Sequence, residues 1–123
     1  MAYVTMYTED GEEYVTDLFT GDASAPANYY IHWGTDATEA IKGDSALIAP
    51  GTEARVAATE SQPTTQKAQY VGTLTCNATP KTIAEVGLFN LITSGICIIR
   101  KNFAGIVLEE NDTIQFTISL EQT

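Results

Sequence analysis

The clearest signal in the chain is a two-residue alternation near its carboxyl end, in the stretch TIQFTISL (113–120). Apolar side chains occupy every second position, and Thr, Gln and Ser occupy the positions between them. Because successive side chains of a β-strand point to opposite faces, this period predicts a strand with one buried and one solvent-facing side. The same criterion, applied along the chain, predicts further strands over 12–20, 27–33, 53–59, 67–76, 83–89, 95–101 and 105–109.

The stretches between these strands are rich in Gly, Asn, Asp, Pro and Ser, which are typical of turns. Many short strands with turns between them predict an all-β fold, here an antiparallel β-sandwich of jelly-roll-like or Ig-like type. A length of 123 residues suits a single domain, 1–123. The acidic segment 1–26 is a candidate N-terminal arm of that domain.

Two predicted loops are longer than a hairpin needs. The segment 34–52 is expected to be a long, partly helical loop, with a short helix around TEAIK (38–42), and 60–66 is expected to be a polar loop. Long loops on a rigid sandwich commonly carry contacts with other molecules. The candidate interface residues in these loops are Asp36, Glu39, Ile41, Gln62 and Pro63.

The charge of the chain is strongly negative and unevenly distributed. The net charge is −10, and residues 1–60, with 11 acids and two bases, contribute −9 of it. Such a surface repels phosphate, which argues against nucleic acid and anionic membranes as partners. A basic protein surface or a bound cation is the partner that this charge favours.

Glu85 is an anomaly, because it lies inside the apolar run IAEVGLF (83–89). In a regular strand it shares its face with Ile83 and Phe89. A buried carboxylate needs a partner, and Arg can bind one with two hydrogen bonds. We therefore predict a structural ion pair between Glu85 and either Arg55 or Arg100.

Residues for catalysis or metal binding are scarce. His32 is the single histidine and has aromatic neighbours, which is more typical of a packed residue than of a general base. The acidic stretches 8–13 and 108–113 lack the spacing of a calcium loop. The sequence therefore predicts a protein without enzymatic activity and without a cofactor or metal.

The aromatic residues Tyr29, Tyr30 and Trp33 form a second candidate surface. They could stack on a sugar or on a partner chain, although packing in a core or an interface is the commoner role of such residues. Cys76 and Cys97 are too few for a disulfide framework and lie in strand-like runs. They are expected to be buried thiols, which fits synthesis in a reducing cytosol.

Five stretches in order resemble small virion proteins of tailed bacteriophages. They cover about residues 29–120 and read IHWGTDATEA, EARVAATESQPTT, YVGTLT, TIAEVGLFN and NDTIQFTISL. The group is a set of β-sandwich structural proteins without enzymatic activity, some on capsids and others in tails or fibres. The resemblance implies a scaffold role for residues in these stretches: Trp33, Gly34, Arg55, Glu85, Gly87, Leu88 and Phe89.

The resemblance implies a capsid decoration or cement protein, made in the host bacterial cytoplasm and located in the virion. Its partners would be the major capsid protein and sister copies, and a homotrimer would fit the threefold positions of an icosahedral shell. The long loops and the N-terminal segment would make the contacts. The alternatives are a tail-fibre, collar or adaptor domain and, in another class, a carbohydrate-binding module that uses the aromatic residues.

Overall fold

The structure is a computed structural model that describes residues 2–77 and 80–122. The predicted domain 1–123 thus includes residues 1, 78, 79 and 123, which lie outside the described residues. Within the described ranges the chain forms eight strands and one helix. In chain order they are β1 Thr5–Tyr7, α1 Glu9–Thr20, β2 Tyr30–Gly34, β3 Val56–Ala57, β4 Thr59–Thr64, β5 Lys67–Thr75, β6 Lys81–Phe89, β7 Cys97–Leu108 and β8 Thr113–Glu121.

The strands form two antiparallel sheets of unequal width. The large sheet has the order β1-β7-β6-β2-β3, and the small sheet has the order β4-β5-β8. Their facing sides bury one apolar cluster, whose largest fully buried member is Trp33. The edge-to-face contact between Trp33 and Phe116, at 6.5 Å between ring centroids, joins β2 of the large sheet to β8 of the small one. The predicted all-β sandwich is confirmed.

The alternation in 113–120 forms the predicted strand, with one side facing the core and the other facing solvent. Strand β8 pairs with β5 without a register shift, from Lys67 opposite Glu121 to Thr75 opposite Thr113. Ile118 is buried, whereas Thr117 and Ser119 on either side of it are exposed. The predicted strands 95–101 and 105–109 are one continuous strand, β7.

Strand β6 departs from regular alternation near Glu85. Ile83 belongs to the same buried cluster as Val86 and Leu88, whereas Phe89 packs in a separate cluster with Leu47 and Cys97. The pairing with β7 shifts register between Ile83 and Glu85. The prediction that Ile83 shares the face of Glu85 is therefore wrong, because an irregularity at this point changes which side each residue faces.

The N-terminal segment is helical where a strand was predicted over 12–20. The side chain of Thr8 accepts a hydrogen bond from the amide of Gly11 and so caps α1, whose first turn is acidic. The helix ends at Gly21, which has a φ of 86°. Gly11 packs closely against Ile98 of β7, and β1 pairs with the same strand, so this part of segment 1–26 belongs to the sandwich and is not an arm.

The two predicted loops also differ from expectation. The chain between β2 and β3 contains no helix, so the helix predicted around 38–42 is absent. Its backbone groups are bonded instead to side chains of the large sheet, as described below. The segment predicted as loop 60–66 contains most of β4, an exposed edge strand in which Gln62 and Pro63 lie.

Candidate functional site: the loop on the outer face of the large sheet

Glu85 fixes the long loop between β2 and β3 to the outer face of the large sheet. Its Oε1 accepts hydrogen bonds from the amide of Ile48 at 2.9 Å and from Arg100 Nε at 3.0 Å. Its Oε2 accepts from the amide of Ala49 at 2.8 Å and from that of Asp36 at 3.3 Å. One carboxylate thus satisfies three backbone amides from both ends of the loop, which is why it is found inside a strand.

Arg100 is the ionic partner of Glu85, and both side chains are fully buried. The same guanidinium donates from Nη1 to Asp44 Oδ2 at 3.1 Å, and Asp44 Oδ2 also accepts from the amide of Ile41 at 2.9 Å. The carboxylate of Asp44 therefore links the pair Glu85–Arg100 to the middle of the loop.

Arg55, the other predicted partner of Glu85, lies elsewhere. Its Nη1 donates to the carbonyl oxygens of Leu91 and Ser94, at 2.8 and 2.7 Å, and its guanidinium carbon lies 3.8 Å from the centre of the Phe89 ring. Arg55 thus holds the loop after β6, and the prediction that it could pair with Glu85 is wrong.

Gly34 shows how closely the loop approaches the sheet. It pairs with Glu85 across β2 and β6, and an added Cβ would lie 2.5 Å from both Glu85 Oε2 and the carbonyl oxygen of Ala49. Only glycine leaves room there for the carboxylate and the returning backbone. A glycine at the end of a strand is the sequence signal for this contact, but the pattern alone does not say what approaches.

Asn102 is a second anchor, which no feature of the sequence indicates. Its Oδ1 accepts from the amides of Val4 and Ala40, and its Nδ2 donates to the carbonyl oxygens of Ala2 and Ala37. One fully buried amide side chain therefore holds both the N-terminal segment and the loop. Four bonds to two segments leave no hydrogen-bonding capacity for a ligand.

Helix α1 lies beside the loop and is bonded to it. The amide of Glu9 donates to the carbonyl oxygen of Lys42, and the ammonium of Lys42 pairs with Glu12. The loop and the acidic helix are therefore adjacent, and both present exposed side chains, Ile41 and Ile48 of the loop among them, on the outer side of the large sheet. We call this face the loop surface; its exposed members used below are Asp10, Glu13, Glu39, Ile41 and Ile48.

Glu53 is a second buried carboxylate, at the end of the loop. It accepts from Trp33 Nε1 at 2.8 Å, from Lys81 Nζ at 2.6 Å and from the amide of Asn77 at 2.9 Å. Burial alone would raise the pKa of Glu53, but these bonds outweigh it and lower that pKa to about 2. Its carboxylate is therefore a charged part of the scaffold.

His32 also serves the scaffold. Its Nε2 donates to the carbonyl oxygen of Glu53 at 2.7 Å, and its side chain is largely buried. Burial lowers the pKa of His32 and so favours its neutral imidazole. No second titratable side chain faces it at hydrogen-bonding distance in the described part of the chain.

The predicted interface residues divide into buried and exposed sets. Trp33 is fully buried and Tyr29 is 9% exposed, so their assignment to an interface is wrong: both pack in the apolar core. Tyr30 is half-buried beside Phe89. Glu39 and Ile41 are exposed on the loop surface and Asp36 is half-buried in the same loop, whereas Gln62 and Pro63 are exposed on β4 at the edge of the small sheet.

Among residues 2–77 and 80–122, no group of three or more His, Cys, Asp or Glu side chains is arranged to hold a metal ion. Over the same residues, no helix is long and apolar enough to cross a membrane. Comparison of the chain with protein families, with curated proteins and with solved structures finds no match.

Proposed function

We propose that the chain is a non-enzymatic structural protein of a tailed-phage particle. In this proposal it decorates the capsid and binds the major capsid protein through the loop surface. The observation that carries the proposal is the bonding of Glu85, which turns a loop of about twenty residues into a fixed surface. The choice of a tailed-phage particle rests on the resemblance of the sequence to small virion proteins.

A fixed surface suits attachment to another protein. Ordering a free loop on binding costs conformational free energy, and a loop already held by Glu85 and Asn102 avoids most of that cost. Ile41 and Ile48 are 57% and 47% exposed, large apolar side chains that gain free energy when a partner covers them. Interfaces of this type have an apolar centre and a polar rim.

The charge around the loop surface favours a basic partner. Asp10 and Glu13 of α1 and Glu39 of the loop are exposed, as the two isoleucines are. A capsid face that is rich in Lys or Arg would be attracted to this surface and oriented by it. The expected binding therefore weakens as the salt concentration rises.

The buried charged groups support a scaffold role in preference to catalysis. Glu85 and Arg100 bond each other and the loop, and Glu53 bonds Lys81 and Trp33. Each of these pairs links two segments of the fold. The aromatic platform that a carbohydrate-binding module needs cannot use Trp33, because that side chain is inside the core.

The test is binding to undecorated capsids, measured by co-sedimentation and by the melting temperature of the capsid. We expect the protein to sediment with the capsids and to raise their melting temperature. The double variant Ile41→Asp/Ile48→Asp should lose both effects. The matched control is Leu91→Asp/Ile92→Asp, because these side chains are similarly exposed, at 47% and 54%, on the loop after β6.

Three results would contradict the proposal: no binding to any capsid of a tailed-phage panel, no shift in melting temperature, or equal loss of binding in the control variant. A reconstruction of the intact particle then distinguishes a capsid position from a tail, fibre or collar position. The homotrimer expected on the threefold axes stays a prediction.

A further inference from the structure

The unequal width of the two sheets leaves part of the large sheet uncovered on its inner face. Beside β8, where a fourth strand of the small sheet would lie, there is an open groove of about 670 Å³. Apolar side chains from both sheets form most of its wall: Val86, Ile99, Phe103, Ile106 and Phe116. A concave apolar site of this size is typical of sites for small ligands.

Lys101 faces this groove from the middle of β7. Side chains two residues apart point to the same side of a strand, so Lys101 lies on the side of Ile99, which belongs to the apolar core, and of Phe103. Arg100 and Asn102, on either side of it in the sequence, bond the loop on the outer face. Lys101 is therefore a half-buried lysine on the apolar side of the sheet, where lysine is rare.

The ammonium group of Lys101 has few partners in the fold. It donates to the hydroxyl of Thr5, on the neighbouring strand β1, at 3.2 Å, and no ion pair among residues 2–77 and 80–122 includes it. An ammonium has three donors, so two of them remain for another acceptor. Thr5 also lines the groove, so the ammonium and this hydroxyl form a polar end to an apolar site.

The charge of the groove is opposite to that of the chain. The sequence has 16 acidic and six basic residues, but over the described ranges no acidic side chain lines the groove, and Lys101 is its one charged member. A ligand that matches this site has an apolar body and a single negative charge at one end.

We propose that the groove binds a free fatty acid, with its acyl chain between the sheets and its carboxylate at Lys101 and Thr5. The carboxylate accepts charge-assisted hydrogen bonds from the two remaining ammonium donors. Each methylene that leaves water beside Phe103 and Phe116 adds to the affinity. An acyl chain has no backbone groups that need partners in the groove. This binding is independent of any attachment to a capsid.

The sign of the ligand's charge is the sharpest test, because the chain and the groove favour opposite signs. The net charge of −10 attracts a cationic amphiphile at long range, whereas Lys101 attracts an anionic one at contact. Charges separated by more than about 10 Å are largely screened at about 0.1 M salt, so the contact with Lys101 decides the preference.

The first experiment uses the unaltered protein and titrates it with dodecanoate or with dodecylammonium, each below its micelle-forming concentration, in a calorimeter. We expect saturable binding of one dodecanoate per chain, at least about tenfold tighter than that of dodecylammonium. Methyl NMR spectra should show shifts at Ile99 and Ile106 in the groove and none at Ile41 and Ile48 on the loop surface. Equal or tighter binding of dodecylammonium, shifts confined to the loop surface, or no saturable binding of dodecanoate overturns the proposal.

The second experiment removes the charge that holds the carboxylate. Lys101→Gln should weaken dodecanoate binding by about tenfold, because a hydrogen-bonded charge pair is lost. The matched control is Lys67→Gln, a half-buried lysine of β5 outside the groove, which should leave the affinity unchanged. An unchanged affinity in Lys101→Gln, or an equal loss in the control, overturns the proposal.

The third experiment blocks the apolar part of the groove. Ile106→Glu puts a carboxylate where the acyl chain would lie and should abolish dodecanoate binding. Val107→Glu is the control, because Val107 is the next residue, is more exposed at 68% against 42%, and does not line the groove. Circular dichroism checks that both variants are folded. Equal affinities in the two variants overturn the proposal.

The open edge of β8 offers a place for a strand of another protein chain as well, and sedimentation velocity distinguishes this occupant. A protein that forms larger species and takes up no dodecanoate has its groove covered by protein, which overturns the proposal. A protein that sediments as one chain of 13.3 kDa and binds one dodecanoate supports it.

Discussion

The two faces of the large sheet are packed by opposite chemistry. The inner face is covered by the small sheet through apolar side chains such as Ile31, Val86 and Leu88, all nearly or fully buried. The outer face is covered by a loop and a helix, and its buried side chains include Glu85, Arg100 and Asn102, each fully buried. The fully buried charged and amide side chains of the large sheet thus lie on its outer face.

The difference follows from what covers each face. A sheet has already paired its backbone groups with neighbouring strands, so apolar contact is sufficient to pack it. A loop without secondary structure brings unpaired amides and carbonyls, which are costly to bury without partners. Glu85, Arg100 and Asn102 supply those partners, so the outer face is polar because its cover is irregular.

Glu85→Gln should have the largest effect on stability, a loss of about 4 kcal/mol, because it removes the fully buried one of the two carboxylates that balance the buried guanidinium of Arg100. Urea denaturation followed by tryptophan fluorescence measures this loss. The control Glu13→Gln changes an exposed acid of α1 and should stay within about 0.5 kcal/mol of the original protein. A loss below about 1 kcal/mol for Glu85→Gln would show that the outer face does not depend on the ion pair.

Leu74→Ala tests the inner face. Leu74 is 1% exposed in the core cluster, so its truncation should leave a cavity and lower the free energy of unfolding by about 3 kcal/mol. The loop amides should keep their protection relative to global unfolding, because nothing that bonds them has changed. Selective loss of protection in the loop would mean that the two faces are not independent.

Glu53→Gln tests the second buried carboxylate and its pH dependence. Loss of the charged bonds to Lys81 and Asn77 should cost about 2 kcal/mol at pH 7. The folded-state pKa of Glu53 is lowered from 4.5 to about 2, so the stability from its charge is complete above pH 4.5 and is lost as the pH falls towards 2. The variant should lack this part of the acid dependence. Thermal melts from pH 7 to 2, with Glu110→Gln as the exposed control, measure it.

Thr8→Ala should have the smallest effect, about 1 kcal/mol, through loss of the α1 cap. The hydroxyl of Thr8 accepts from the Gly11 amide and donates to the carbonyl oxygen of Cys97. Thr8→Ser should restore the stability, and Thr16→Ala, on the exposed side of the same helix, should cost little. Equal losses for Thr8→Ala and Thr8→Ser would exclude the hydroxyl as the cause.

The sequence correctly predicts strands in which apolar and polar residues alternate regularly. The prediction fails where tertiary packing decides the secondary structure. Strand β8 alternates along its whole length, and its prediction holds. The stretch 12–20 also suits a helix, because Gly11, Tyr14 and Leu18 repeat at helical spacing and Thr8 and Gly21 are capping residues. These local signals favour a helix, whereas the β-prone residues between them favour a strand.

The candidate site could be predicted only in part. An acid in an apolar strand indicates a buried partner, and Arg100 was one of two candidates, because its position at the end of an apolar run places it on a neighbouring strand. The targets of Glu85 and Asn102 are backbone groups of distant segments, and no side-chain pattern encodes them. The irregularity beside Ile83 likewise leaves no trace in the alternation of β6.

The most direct test of the central claim is hydrogen exchange at the three amides that Glu85 binds, those of Asp36, Ile48 and Ala49, compared between the original protein and Glu85→Gln. We expect these amides to be protected in the original protein and to exchange much faster in the variant. The amides of Ile31 and Leu88 inside the large sheet should change only by the global loss of stability. Unchanged protection at the three loop amides would contradict the claim that Glu85 holds the loop.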